Sequence, residues 1–527
     1  MGERPSSISR FMAIFAGGTL LSRVLGLARD AALGAFVPPA TRDAFFLAFQ
    51  LPNMLRDMFG EGAANAALIP VFSRRLEQDG EDAYRRAVRA VLGVFVLLFL
   101  VLTAAGVALM PLAPGAIHLL SRWSGGDPAP AEDWANTVAL MQWTFPYLML
   151  IGLAAFATAP LFIARHYVTP SWSPALLNLA LIGVCFLPVA WFGGEDWALV
   201  AGVWIGGVAQ LAAMLWAMRK HAGVLSPSFN PAHPDVGRVM LLLGPVILGQ
   251  SAGEVNKLID RFFAIGLETG VVTALYFSNR LIQLPLALFG IGVSVAILPE
   301  MSRAMARGDV ARARDTLVLG LRQSFFLLAP AAIGLAVLGE PIIRVLFERG
   351  HFTAETTRMT YIAMAIGSAG LVAFGWIKVC AQGFYALEDS RTPVKIAAAS
   401  MIINIALNFL LVPLLQFKGL ALASTLAFSI NFLLLFIALH RRYGRLLDAA
   451  TLRDGVKIMV VSTLAVAAGA GIWAALHGLA PGRLGEAMVL GAALAVSGGL
   501  YFVLAGAAQI PEASTLLAGL RRRLRRT

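Results

Sequence analysis

The chain has 527 residues, of which 58% are hydrophobic and only 14% charged, with a mean hydropathy of +0.75. Soluble domains carry about 25% charged residues, so this composition cannot coat a water-facing surface, and it excludes a soluble enzyme. The net charge of +12 does not point to nucleic acid, because the Lys and Arg residues gather in alternate connections between apolar stretches.

Apolar stretches of about 20 residues, each able to cross roughly 30 Å of hydrocarbon as a helix, recur about fourteen times. The first, 11–36, carries Arg23, Arg29 and Asp30 inside its pattern and lacks the compact apolar core and small-residue cleavage site of a secretory signal, so it is expected to remain as a helix. The second, 43–72, holds Asp43, Asn53, Arg56, Asp57 and Glu61, with Pro52 and Pro70 in the run from LPNMLRDMFG to LIPVFSRR. Stretches at 87–113, 136–163 (with Pro146), 173–192 and 197–217 follow with few charges. The seventh, 237–266, contains Pro245, Glu254, Lys257, Asp260 and Arg261; the eighth, 270–299, contains Arg280, Pro285 and Pro299 in the run from LPLALFG to ILPEMSR. Next come 316–338, 359–386 with Lys378, 394–415 with Ser400 and Asn404, 418–439, 456–477 and 486–508. A basic tail, Arg521 to Arg526, suits anionic headgroups.

The second and eighth stretches correspond: each follows a stretch with an intramembrane Asp, carries Leu-Pro, ends at another Pro, and leads into a charged segment (DGEDAYRRA, GDVARARD). Six spans per repeat is an even number, so the halves share one orientation. The expected fold is an all-α integral membrane protein of about fourteen transmembrane helices. It comprises two pseudo-symmetric six-helix lobes (1–222 and 223–445), a C-terminal helix pair (446–510) and a basic cytoplasmic tail (511–527). Roughly two-thirds of the Lys and Arg lie at the ends and even-numbered connections, which predicts both termini in the cytoplasm. No connection is long enough for a soluble catalytic domain. Cys185 and Cys380 each lie in an apolar stretch and read as small buried hydrophobes.

The informative residues are charges at membrane depth. Each costs about 2.5–3.5 kcal/mol at a helix centre, so such groups face a bundle interior or a wet cavity. One reading is internal ion pairs, favoured for Arg261, Glu254, Lys257 and Asp57. The other is an anion site, favoured for Arg23, Arg29, Arg56 and Arg280, since a guanidinium grips phosphate bidentately. Convergent arginines would match a pyrophosphate. Asp260 pairs with Lys257 or binds a cation with Asn404 or Ser400 as oxygen partner. No phosphate-binding loop, His-Glu-x-x-His, Cys-x-x-Cys or Gly-x-Ser-x-Gly is present; energy is therefore expected from an ion gradient, the membrane potential or substrate flux.

The segments SRVLGLARDA (22–31), TRDAFFLAFQLPNMLRDMFGEGA (41–63), SNRLIQLP (278–285) and KVCAQGFYALEDSRTPVKIA (378–397) resemble the MurJ (MviN) family. These are lipid II flippases of the multidrug/oligosaccharidyl-lipid/polysaccharide exporter superfamily. The resemblance implies alternating access that carries lipid II to the outer leaflet of the bacterial inner membrane, with the final helix pair forming a groove for the lipid tail. It assigns Arg23, Arg29, Asp43, Arg56 and Arg280 to substrate, Glu61 to gate or portal and Asp260 to a possible Na+; Asp30 and Asn53 are expected at the gate beside Glu61, and Asn404 as an oxygen partner of Asp260. It implies no enzyme activity and no organic cofactor, a functional monomer, and other cell-wall synthesis proteins as partners. Gln283, Asp57 and Gln382 depart from the family pattern, which bears on gating pairs and a helix kink. The competing readings are a flippase for another polyprenyl-linked glycan, a drug/cation antiporter, an intramembrane enzyme on a polyprenyl phosphate, and a scaffold.

Overall fold

The computed structural model describes residues 5–59, 64–115, 131–223, 226–265, 267–479 and 482–514, and among them all regular structure is helical. The chain divides into two compact units, Met1–Val272 with Arg349–His351, and Thr273–Glu348 with Phe352–Thr527. Compactness divides the chain at 272/273 because the helix over 234–265 packs onto its N-terminal neighbours.

The first unit contains α1 (Pro5–Phe36), α2 (Pro39–Phe59), α3 (Asn65–Leu109), α4 (Ala131–Thr144), α5 (Tyr147–Ile163), α6 (Val168–Val184), α7 (Glu195–Ala222) and α8 (Pro234–Ile265). Local chemistry sets the ends of α7: Glu195 and Asp196 occupy its first turn, Arg219, Lys220 and His221 its last, and Gly223 closes it at φ +67°. Acid at the N-terminus and base at the C-terminus both complement the helix dipole, and the left-handed closing residue suits glycine. The 45 residues of α3 are two arms, because Gly80 breaks the helix at φ +79°. Phe72 and Tyr84, twelve residues apart and so about 18 Å apart along a straight helix, have ring centroids 6.2 Å apart. The chain therefore doubles back at Gly80, joining the second and third expected stretches with almost no loop. The second stretch, expected as one piece over 43–72, is two helices: α2 stops at Phe59 and α3 begins at Asn65. A second break, at Phe145 and Pro146, splits 136–163 into α4 and α5. The core between α3 and α5 is aromatic, with Phe95 and Phe156 rings 5.1 Å apart and both buried.

The second unit contains most of α9 (Val271–Pro285), a π-helical turn (Leu286–Ile291), α10 (Gly292–Ala306), α11 (Val310–Phe347), α12 (Ala354–Ala369), α13 (Leu371–Ala386), α14 (Arg391–Leu415), α15 (Phe417–Tyr443), α16 (Ala449–Leu476) and α17 (Gly482–Ala507). Pro285 opens the π-turn, as expected where proline removes a ladder donor. Helices α12 and α13 meet at a 43° bend. Asp309, Thr353 and Asp448 cap α11, α12 and α16 by accepting a backbone N–H three residues on. The hairpin of α16 and α17 packs on α11: Tyr501 donates to the Phe326 carbonyl at 2.6 Å, and Arg322 bonds both Asp454 (2.8 Å) and Glu512 (2.6 Å). At the far end of α11, Arg344 meets Glu486 at 2.7 Å.

Among the described residues nine helices are long and apolar enough to cross a membrane, ten if the bent α12–α13 pair is one span. Helix α2 falls outside that set because Arg42, Asp43, Arg56 and Asp57 share its 21 residues. Helix α6, at 17 residues, is short.

Candidate functional site

The charged residues singled out from sequence fall chiefly on α1, α2 and α8 of the first unit. On α1, Asp30 is fully buried and receives both Nε (3.0 Å) and Nη2 (2.6 Å) of Arg29. The remaining Nη1 donates to Asn178 Oδ1 at 3.1 Å, and Asn178 Nδ2 in turn donates to the Ser22 carbonyl at 3.2 Å. A buried guanidinium is thereby neutralised by its own chain neighbour, while one asparagine of α6 spans two turns of α1. Arg23 has a different setting: its side chain is exposed and has no ion-pair partner among the described residues. The structure thus separates the two arginines of the SRVLGLARDA segment, one paired and one open.

At the α1–α2 turn Arg42 is fully buried, and its Nη1 donates to the Gly34 carbonyl at 2.8 Å and to that of Val37 at 3.4 Å. These carbonyls close α1, so the cation satisfies helix-end acceptors and meets the negative end of the dipole. The adjacent Asp43 accepts the Gly270 amide hydrogen at 2.6 Å; Gly270 has φ +96°, a turn conformation that glycine adopts without strain. Asn53 and Arg56 are half-buried on the rest of α2. Glu61 lies outside the described residues.

On α8, Lys257 meets Glu254 at 2.6 Å, an internal pair of the kind expected there, and Arg261 donates to the Val272 carbonyl at 3.1 Å. Asp260 is half-buried. The start of α8 is anchored by Asp235, fully buried, which receives Arg75 Nε of α3 at 2.6 Å. That bond, with a second donated by Arg75 Nη1 to Asp79 at 2.6 Å, holds the Arg75 guanidinium above its usual range. In the second unit, Arg280 is half-buried on α9, and Asn404 is buried on α14. Asp260 and Asn404 belong to different units.

Sequence reading missed Arg42 and Asn178. Arg42 stands directly before Asp43 at a helix start, where a cation able to fold back on the preceding helix end was a discoverable signal. Asn178 is the polar interruption of the apolar run LLNLALIG.

The family profile described as "Lipid II flippase MurJ" matches residues 32–489. A probable lipid II flippase MurJ of Rhizobium tropici is 34% identical over 513 residues, covering 95% of this chain and 94% of the relative. The lipid II flippase MurJ of Burkholderia cenocepacia is 32% identical over 505 residues, covering 94% and 96%. Among solved structures, a lipid II flippase MurJ in an inward closed conformation shares the fold at TM-score 0.75 and 22% identity, covering 94% of this chain and 98% of that one. An inward-facing multidrug resistance MATE transporter of the MOP superfamily does so at TM-score 0.66 and 11% identity, covering 82% and 96%.

Proposed function

We infer the activity from one premise: this chain belongs to the lipid II flippase MurJ family. It flips lipid II, the undecaprenyl-pyrophosphate-linked disaccharide-peptide used in peptidoglycan synthesis, across the membrane. The observation that carries this is a family match spanning nearly the whole chain, at 34% identity to a relative of almost equal extent. We further propose movement from the inner to the outer leaflet of the bacterial inner membrane by alternating access, by a monomer without enzymatic chemistry.

Within that reading, Arg23, Arg56 and Arg280 are assigned to the pyrophosphate, because a guanidinium grips phosphate oxygens bidentately. Arg29 is a conditional ligand: its fork is held by Asp30 and Asn178, so a dianion gains it only by displacing part of that set. Asp43 would repel phosphate and is assigned to hydroxyl or amide groups of the sugar-peptide. Asp30, Asn53 and Glu61 are assigned to the gate. The energy source is the membrane potential, worth about 2.3 kcal/mol per charge per 100 mV, or a Na+ gradient acting through Asp260. Cytoplasmic termini are supported by the distribution of Lys and Arg along the sequence.

The test is the amount of lipid II that an impermeant probe detects on the outer leaflet of cells depleted of this protein. Exposure should fall on depletion, return with wild type, and stay low with stably expressed Arg23→Ala. Unchanged exposure on depletion, in cells lacking another lipid II flippase, would overturn the reading.

A further inference from the structure

Asn178 belongs to the Arg29 cluster but has no part in the flipping reading as stated above. It stands ten residues after Val168, the first residue of α6, about 15 Å along the helix, in the apolar run LLNLALIG, and is 7% exposed. An amide at that depth needs partners on both of its polar atoms, and it has them. Oδ1 accepts Nη1 of Arg29 at 3.1 Å, and Nδ2 donates to the Ser22 carbonyl at 3.2 Å. A cation on one side and a carbonyl on the other admit only this orientation of the amide. We propose that Asn178 is a positioning residue for the substrate: its Oδ1 holds the place of a phosphate oxygen on Arg29, and it, not Asp30, gives way when the pyrophosphate arrives. The inference rests on the flipping reading and names the exchange by which Arg29 joins the site.

Geometry separates the two partners of the guanidinium. Asp30 Oδ1 takes Nε and Nη2, the side edge of the fork, at 3.0 and 2.6 Å. The other bidentate edge is formed by Nη1 and Nη2, and Asn178 sits on Nη1. A phosphate that takes this edge displaces the amide while Asp30 keeps its own.

Electrostatics favours the same order. Asp30 is fully buried, and drawing Arg29 away from it would strand a carboxylate out of reach of water, the costliest way to break such a pair. Asn178 is neutral, so its departure strands no charge. A phosphate oxygen carries charge that an amide oxygen lacks, and the exchange on Nη1 therefore gains Coulomb energy. Because Arg29 and Asp30 are neutral as a unit, Arg29 supplies directed donors, and the net positive charge comes from the open arginines assigned above. The second bond of the amide, to Ser22, is untouched by the exchange, so α6 keeps its hold on the turn of α1 that carries Arg23.

The test uses full-length protein in detergent, titrated with lipid II, undecaprenyl pyrophosphate or undecaprenol, with bound lipid counted by native mass spectrometry. Asn178→Leu, of similar volume but without an acceptor, should bind both pyrophosphate lipids about 3- to 10-fold more tightly than wild type, since a hydrogen bond to a charged group no longer has to be given up. Asn178→Asp, the same shape with a full charge, should bind them on the order of 10-fold more weakly. Undecaprenol binding should be the same in all three proteins. In an Arg29→Gln/Asp30→Asn background, which removes both charges of the pair together, neither substitution should change the affinity for lipid II. A folding defect weakens binding and does not tighten it. Should Asn178→Leu fail to fold, Asn178→Asp decides alone, and lipid II binding equal to wild type overturns the inference. So does weaker binding by Asn178→Leu, or an equal change for undecaprenol, the mark of a residue that only packs α6 on α1. Wild type that binds lipid II no better than undecaprenol overturns instead the flipping reading from which the inference starts.

Discussion

Replacing Arg322 with Met should loosen the α16–α17 hairpin from α11. The arginine bridges Asp454 on α16 and Glu512 beyond α17, at 2.8 and 2.6 Å, and the three side chains are 21%, 11% and 3% exposed. Methionine keeps the volume and removes the charge, leaving two largely buried carboxylates with no cation on them. Breaking a buried ion pair from one side costs about 3–5 kcal/mol, whereas the exposed Arg312–Glu300 pair, 61% and 48% exposed, should be worth about 0–1 kcal/mol. Thermal unfolding in detergent should therefore show a much lower midpoint for Arg322→Met than for Arg312→Gln. Limited proteolysis should cut the hairpin connection first. Because the cost comes from stranded carboxylates, adding Asp454→Asn and Glu512→Gln to Arg322→Met should recover most of the loss. A triple variant no more stable than Arg322→Met, or an Arg322→Met no weaker than Arg312→Gln, would refute the reasoning.

Arg42→Met should cost about 1.5–3 kcal/mol, the range for hydrogen bonds from a charged group, because the Gly34 and Val37 carbonyls lose their donor; a midpoint within error of wild type would show that α1 closes without it. His166 gives a pH dependence. Burial, then the positive charge of neighbouring His221 and of Lys220, lowers its pKa below 6.5, and its Nε2 is 2.8 Å from the Thr169 hydroxyl. A depressed folded-state pKa favours the neutral ring, so this stabilisation is present above about pH 6.5 and is lost as pH falls below it. Between about pH 7.5 and 5.5 the unfolding midpoint of wild type should fall more steeply than that of His166→Asn; parallel slopes would remove His166 as the cause.

Hydrophobicity made the helices legible: each expected apolar stretch falls on a helix or a pair of helices, because a backbone in hydrocarbon must satisfy its own hydrogen bonds. The interruptions were less so. Pro285 and Pro146 mark a π-turn and a break, whereas Pro52 sits inside an α2 that continues to Phe59, since neighbours decide whether a freed carbonyl finds a partner. The doubling back at Gly80 was hidden inside a charged segment read as a loop. Among charges, Glu254 and Lys257 were both expected in internal ion pairs, but the partner named for Lys257 was Asp260, whereas the ammonium meets Glu254 one turn earlier. Adjacent residues on a helix do not face one another by spacing alone, so nothing in the pattern foretold that Arg29 would close on Asp30. The same guanidinium also donates to Asn178, 149 residues away, and only packing of α6 against α1 brings that residue there.

The single-residue reversal at Gly80 also governs how force passes through the first unit. A connection of many residues stores slack, and two helices joined by it can slide in opposite directions before the chain tightens. One glycine stores none. The arms of α3 on either side of Gly80 can pivot about it but cannot shift in register, so a displacement of one along the membrane normal reaches the other at full amplitude. Lengthening this joint by a few flexible residues would insert lost motion into the linkage while leaving every packed face intact.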